Sequence, residues 1–277
     1  MIGASQRFGW RQGWRCAALL AAVIASGAYL VLLIWIHYCQ ERLIFRPEPL
    51  PVAHRFVLDD VHEVSIDVGG EALSALHLKL PNPQGVVFFL HGNTGNVSTW
   101  FIHSDFYRAA NYDLFMLDYR GYGKSSGRIE SEAQLRADVL AAWRTVEAQY
   151  AGKRKVIYGR SLGTALAAGL AVEVHPDLTI LVSPYCDMAQ LMAYHYPLLP
   201  TVLLRYPLAT CSDVVRMRTA LLLVHGESDT FIPIRHSEQL LSLAPQARLL
   251  RVDGAAHADI HQFPAYTDEL RRALKSL

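Results

Sequence analysis

Charge is scarce in this chain: Asp, Glu, Lys and Arg make up 18% of its 277 residues, and the formal net charge is +1. No long basic run occurs. Lys153, Arg154 and Lys155 stand together, but three cations ahead of an apolar strand read as a solvated loop, so no nucleic-acid partner is expected. Cysteine is scarce too, and Cys16, Cys39, Cys186 and Cys211 form neither a CxxC pair nor a Cys/His group at metal-ligand spacing. A zinc site is therefore not expected. No G-x-G-x-x-G opens the first strand–helix unit, which disfavours nicotinamide chemistry, and no cofactor is expected. Internal repeats and low-complexity stretches are also lacking. Cys186 and Cys211 flank one apolar insertion; a bridge between them suits an oxidising compartment, and two unpaired thiols are the preferred reading of the sequence.

What the chain has in quantity is apolar residues, 52% of the total. Residues 16–38 contain no Asp, Glu, Lys or Arg. As a helix they measure about 35 Å, enough to cross a hydrocarbon core of roughly 30 Å. Arg7, Arg11 and Arg15 precede the segment, and Trp10, Trp14, Trp35 and Tyr38 stand where an interfacial aromatic belt belongs. A cleaved signal peptide is the rival, because Ala25-Ser26-Gly27-Ala28 offers small residues for cleavage. The apolar run continues through Leu30 to Ile36, however, beyond the length of a signal peptide's apolar region. The expectation is an uncleaved anchor at 16–38 behind a cytoplasmic-side segment at 1–15. Arg42 and Arg46 follow the helix, so the charge bias is weak; it leans towards a body on the non-cytoplasmic side.

Residues 39–55 carry Pro47, Pro49 and Pro51 and read as an extended linker. Residues 57–66 and 71–80 alternate apolar and polar around Asp67-Val68-Gly69-Gly70, a hairpin signature. Apolar runs at 86–90, 114–117, 155–158, 179–182, 220–224 and 248–252 then read as strands. Between and after them, 98–110, 131–150, 162–174, 235–243 and 264–277 read as helices. Such alternation predicts one α/β domain over 56–277, with a mainly parallel central sheet and helices on both faces. Its functional loops belong at the carboxyl ends of the strands.

The strongest chemical signal lies there. Gly159-Arg160-Ser161-Leu162-Gly163 separates an apolar strand from a helix of small residues, the setting in which a sharp turn lifts a serine hydroxyl above a sheet. His91-Gly92-Asn93-Thr94-Gly95-Asn96 follows the strand at 86–90, where one oxyanion donor is expected; the backbone N–H of Leu162 is the other. Asp229 closes Leu223-Val224-His225-Gly226-Glu227-Ser228-Asp229, and His257 closes Asp253-Gly254-Ala255-Ala256-His257, each just past a strand. The order Ser, Asp, His matches the order in which this architecture supplies a triad. Asp118-Tyr119-Arg120-Gly121-Tyr122-Gly123 reads as a structural turn. Asp253, Asp259, His225, His236 and His261 are taken as loop residues or caps, and His91 as support beneath the oxyanion loop.

The HGNTGN, DYRGYGKSSG, GRSLG, HGESD and GAAH segments resemble the membrane-anchored bud-emergence-type branch of the α/β-hydrolases, near the serine aminopeptidase-like hydrolases. The resemblance covers roughly residues 55–277. It implies the α/β-hydrolase fold, Ser161, Asp229 and His257 as catalytic triad, and Asn93 with Leu162 as backbone oxyanion donors. It leaves ester, thioester and amide substrates open.

In the mechanism these residues imply, His257 takes the Ser161 proton as the hydroxyl attacks a carbonyl, and Asp229 orients the imidazole. Residues 183–219 form an apolar insertion, expected as a cap over the site, which suits an acylated or lipid-like substrate. An acyltransferase with the same acyl-enzyme is the nearest alternative. A catalytically silent, membrane-bound interaction module is another.

Overall fold

The computed structural model describes residues 5–277, with side chains from Trp14 onward; Arg7, Trp10 and Arg11 lie outside the described side chains. Helix α1 spans Ser5–Tyr38, and no residue of its most apolar window is buried against the body. Helix α2 (Gln40–Ile44) and strand β1 (Arg46–Pro47) follow. Strands β2 (Val61–Asp67) and β3 (Ala72–Leu78) form the expected antiparallel hairpin, with Val61 opposite Leu78 and Asp67 opposite Ala72.

From there strands and helices alternate. Strand β4 (Gly85–Leu90) leads through β5 (Thr94–Gly95) into α3 (Val97–Trp100) and α4 (Ser104–Ala110). Then come β6 (Tyr112–Leu117), α5 (Glu132–Glu147), β7 (Arg154–Arg160), α6 (Gly163–Val174) and β8 (Leu178–Val182). The chain ends with α7 (Met188–His195), α8 (Thr210–Arg216), β9 (Ala220–Gly226), α9 (Arg235–Leu243), β10 (Ala247–Val252) and α10 (Pro264–Lys275). The eight-stranded sheet has the order β10-β9-β8-β7-β4-β6-β3-β2, parallel except at the hairpin edge.

Period-two side-chain alternation explains why the strands are apolar throughout. Val86, Phe88 and Leu90 of β4 face a core closed by α5, α6, α8 and α9, whereas Val87 and Phe89 face one closed by α4 and α10. β4 lies between β7 on one side and β6 on the other, so the strand order reverses around it. The crevice beyond the carboxyl ends of β4 and β7 is the place where such sheets bind ligands.

Three expectations are revised. The helix expected at 98–110 is two helices joined by a tight turn at Phe101–His103. Phe101 is driven into the core, and the Trp100 indole donates back to the Thr94 carbonyl at 2.9 Å. The insertion is only partly a cap: α8 packs on α6 as an ordinary crossover helix, leaving roughly residues 187–208 above the site. Cys186 and Cys211 are disulfide-bonded, which corrects the reading of free thiols. The backbone brings them together, since Cys211 N donates to the Cys186 carbonyl at 2.8 Å and the two Cα atoms lie 4.7 Å apart.

Residues 39–55 are not a free tether either. Gln40 and Phe45 are buried, and Phe45 meets Tyr206 edge-on at 5.2 Å. Gln40 donates to the Leu203 carbonyl at 2.6 Å and accepts from Arg205 N at 2.9 Å, while Glu41 accepts from the Tyr206 hydroxyl at 2.8 Å. The foot of the long helix is thus strapped to the cap.

Candidate active site

Between β7 and α6 only Ser161 and Leu162 make the turn. Ser161 takes φ +50°, a left-handed conformation that costs a residue with a side chain about 1–3 kcal/mol. Two glycines make the turn sterically feasible. A Cβ on Gly163 would stand 2.1 Å from the Leu90 carbonyl oxygen, and one on Gly159 2.7 Å from both Ala167 Cβ and Thr164 Cα. Their absence lets the start of α6 press against the end of β4, beside the loop that carries Asn93. Among the described residues no backbone carbonyl accepts from the N–H of Leu162 or of Asn93. Both donors are therefore available to an oxyanion.

Ser161 Oγ lies 3.0 Å from His257 Nε2, and His257 Nδ1 lies 2.7 Å from Asp229 Oδ2. A carboxylate can only accept, so Nδ1 carries the proton and Nε2 is left to accept from the serine hydroxyl. Asp229 is buried, and its Oδ1 accepts from the backbone N–H of Phe231 at 3.0 Å and of Ile232 at 2.8 Å. Burial works to raise its pKa, but the neighbouring His225 and His257 imidazoles and the Ile232 N–H outweigh it and hold the carboxyl well below the usual range. These contacts favour the carboxylate form of Asp229.

The structure does not bring Asp253 to this group. Asp253 is exposed, and it makes no hydrogen bond to His257 among the described residues. Asp259 accepts from Ala256 N at 2.8 Å and shapes the histidine loop, as a loop cap should. His225 is a correction. It is fully buried at the end of β9, with Nε2 2.7 Å from the Ile232 carbonyl and 3.5 Å from Asp229 Oδ2, and Nδ1 2.6 Å from Ser237 Oγ. It braces the turn that presents Asp229. His236 is likewise buried on α9 rather than in a loop, and burial pushes its pKa down to about 4.

His91 is buried beneath the loop that carries Asn93, its Nδ1 donating to the Gly92 carbonyl at 2.7 Å. The segment after β6 does more than turn: the Tyr119 hydroxyl donates to the His91 carbonyl at 2.9 Å and the Tyr122 hydroxyl to the Asn93 carbonyl at 2.8 Å. Arg46 N also donates to the Asn93 carbonyl, at 2.8 Å, and the Asn93 side chain donates to the Ile44 carbonyl at 3.1 Å. The segment that follows the long apolar helix and the DYRGYG segment therefore grip the loop that carries Asn93 together. Sequence reading missed this because nothing local in Arg46 or Tyr122 marks a partner so distant along the chain.

Arg160, the variable position of the Gly-x-Ser-x-Gly turn, was missed as well. It is 6% exposed, donates to Ser183 Oγ at 2.7 Å and to the His257 carbonyl, and so ties the Ser161 turn to two neighbouring loops. Arg160→Met is expected to lower kcat about tenfold by loosening the His257–Ser161 geometry, with KM little changed. Steady-state kinetics on a short nitrophenyl ester checks this. An unchanged kcat would show that the tether is dispensable.

A cavity of about 1270 Å³ opens over Ser161 and His257 and runs between the cap and the foot of α1. Among the described residues no group of His, Cys, Asp and Glu is arranged to hold a metal ion.

Comparison with known proteins agrees with this architecture. Residues 81–214 match the hydrolase family described as serine aminopeptidase, S33. The chain is 32% identical over 262 residues to a Mycobacterium tuberculosis protein named "Uncharacterized protein Rv2307c", covering 88% of this chain and 90% of that one. It is 29% identical to "Alpha/beta hydrolase domain-containing protein 17B" of Xenopus tropicalis, covering 69% and 67%. Among solved structures, the Pyrococcus furiosus esterase Pf2001 superposes with a TM-score of 0.67 at 20% identity, over 84% of this chain and 97% of that one, a likeness of fold. The chain belongs to the α/β-hydrolase superfamily. Within it, the chain is a hydrolase.

Proposed function

We propose that this hydrolase is a membrane-anchored serine enzyme that cleaves a carboxylic ester, thioester or related acyl bond through Ser161, His257 and Asp229. The observation that carries the reading is the continuous hydrogen-bonded line Asp229–His257–Ser161, at 2.7 and 3.0 Å, beside two unengaged backbone N–H groups. In the first step Ser161 Oγ bonds to the carbonyl carbon and its proton passes to His257 Nε2, while Leu162 N and Asn93 N receive the oxyanion. Collapse breaks the bond to the leaving group, which takes the proton from His257. Water, deprotonated by the same nitrogen, then attacks the acyl-enzyme and regenerates Ser161. Rapid mixing of detergent-solubilised protein with nitrophenyl acetate tests this. A burst of nitrophenol approaching one equivalent per chain is expected if deacylation is the slow step, and turnover without Ser161 acylation contradicts the reading. The match to a serine aminopeptidase family favours an amide reading as second choice, so a nitroanilide substrate belongs in the same assay.

The anchor is part of the proposal. Its support is the 25-residue apolar stretch Trp14–Tyr38, long enough to cross a membrane. A body on the non-cytoplasmic side fits the Cys186–Cys211 bond, since disulfides persist in oxidising compartments. Amino-terminal sequencing of protein from the membrane fraction is expected to find residues ahead of Ala28. A soluble form beginning after that position would identify a cleaved signal instead.

A further inference from the structure

The cavity above Ser161 has an unusual wall. Tyr29, Leu32, Ile36 and Gln40 line it, at spacings of three, four and four residues, which is one face of a helix. These belong to the long apolar helix and to its foot, not to the catalytic body. The opposite wall is the cap, with Met192, Leu199 and Leu203 among its residues, and the floor holds Ser161 and His257. An apolar channel therefore runs from the nucleophile to the flank of the segment that crosses the membrane.

The position of the cap along that helix sets its depth. The Tyr29 hydroxyl donates to the Leu198 carbonyl, whereas the Leu203 carbonyl meets His37 Nδ1 at 3.2 Å and accepts from Gln40. Residues 198–203 thus lie along the last three turns of the helix. Tyr29 is nine residues before Tyr38, about 13 Å along the axis. If Trp14–Tyr38 crosses the bilayer, the chain around Leu198 lies below the headgroups, among acyl chains. Its surface is suited to that position: Leu198 is 82% and Val202 87% exposed, on a segment without a charged side chain between Tyr196 and Leu204. Large apolar side chains so exposed, at a hydrocarbon level, need no water-facing partner.

We propose that the Ser161 site takes a long-chain acyl substrate directly from the bilayer, through the groove between the membrane helix and the cap, with the acyl chain never crossing water. The inference rests on the serine-hydrolase reading and leaves the reaction at Ser161 unchanged. It adds the substrate's class and its route. A bilayer-resident acyl chain fills an apolar channel without leaving hydrocarbon, while its carbonyl, at the polar end of the chain, reaches the serine.

The test uses the full chain reconstituted in phosphatidylcholine vesicles, with two probes: nitrophenyl palmitate dissolved in the same membrane and nitrophenyl butyrate in the water. Two variants address the groove. Leu32→Trp fills it from the helix side, and Leu198→Asp places a charge at the cap tip; both sites are substantially exposed, so folding does not depend on them. Wild type is expected to hydrolyse both esters, and each variant to lower the palmitate-to-butyrate rate ratio by about tenfold or more. Butyrate hydrolysis without hydrolysis of the membrane-dissolved palmitate overturns the inference. So does a ratio that neither variant changes. Failure of wild type on both esters, with no covalent adduct on Ser161, would instead remove the serine-hydrolase reading on which the inference stands.

Discussion

Asp229→Asn is expected to lower turnover by up to about four orders of magnitude while leaving the fold intact. The carboxylate accepts from His257 Nδ1 at 2.7 Å and therefore keeps the proton on that nitrogen. An amide can present its NH2 group there instead, which favours the tautomer with Nε2 protonated and unable to accept from Ser161. The two backbone donors to Oδ1, Phe231 N and Ile232 N, can still be satisfied by the amide oxygen, so the loop is expected to hold. Asp253→Asn is the matched control, because Asp253 stands exposed on the histidine loop. It is expected to change turnover by less than about twofold, as surface substitutions outside a network do. Turnover of a short nitrophenyl ester, with circular dichroism to check folding, compares the pair. A crippled Asp253→Asn beside a near-normal Asp229→Asn would move the acid to the later strand.

Ser161→Ala is expected to lose roughly six orders of magnitude in kcat, the cost when a triad acts as a unit. The same logic predicts strong non-additivity. Once the nucleophile is gone, His257 Nε2 has no proton to accept, so His257→Ala in the Ser161→Ala background is expected to cost little more. The fold is expected to survive or gain slightly, since Ser161 sits at φ +50° in a turn held by its neighbours rather than by its own hydroxyl. Burst and steady-state kinetics on the single and double variants give the comparison. Additive losses would mean that Ser161 and His257 act in separate steps.

The sheet was legible in the sequence because its strands are buried on both faces. Runs such as Val86–Val87–Phe88–Phe89–Leu90 have nowhere else to go, and the glycines around Ser161 mark a turn that a larger residue would block. The positions of Ser161, Asp229 and His257 past β7, β9 and β10 follow from that alternation. The supporting contacts were not legible. Arg160, His225, Tyr122 and Arg46 act on partners between 7 and 97 residues away, and no periodicity encodes such pairs. The lead-in at 39–55 misled for a related reason: its prolines describe an extended backbone correctly, but they do not say that Arg46 and Pro47 pair with Thr94 and Gly95. The expected cap runs past its observed C-terminal end because α8, TCSDVVR, is too short and too mixed in composition to show a helical period.

One consequence of that lead-in is mechanical. The seven residues from Gln40 to Arg46 leave the long apolar helix, strap the cap through Gln40 and Glu41, and hold the loop that carries Asn93 through Ile44 and Arg46. The long apolar helix and the site are therefore built as one unit, and protein that keeps this helix is the appropriate material for kinetics.

The most direct measurement of the central claim is covalent. Full-length protein in detergent is treated with a fluorophosphonate, digested, and the modified peptide located by mass spectrometry. The account predicts a single adduct on Ser161, formed by wild type and lost in Ser161→Ala. An adduct on another residue, or equal labelling of the two proteins, would contradict it.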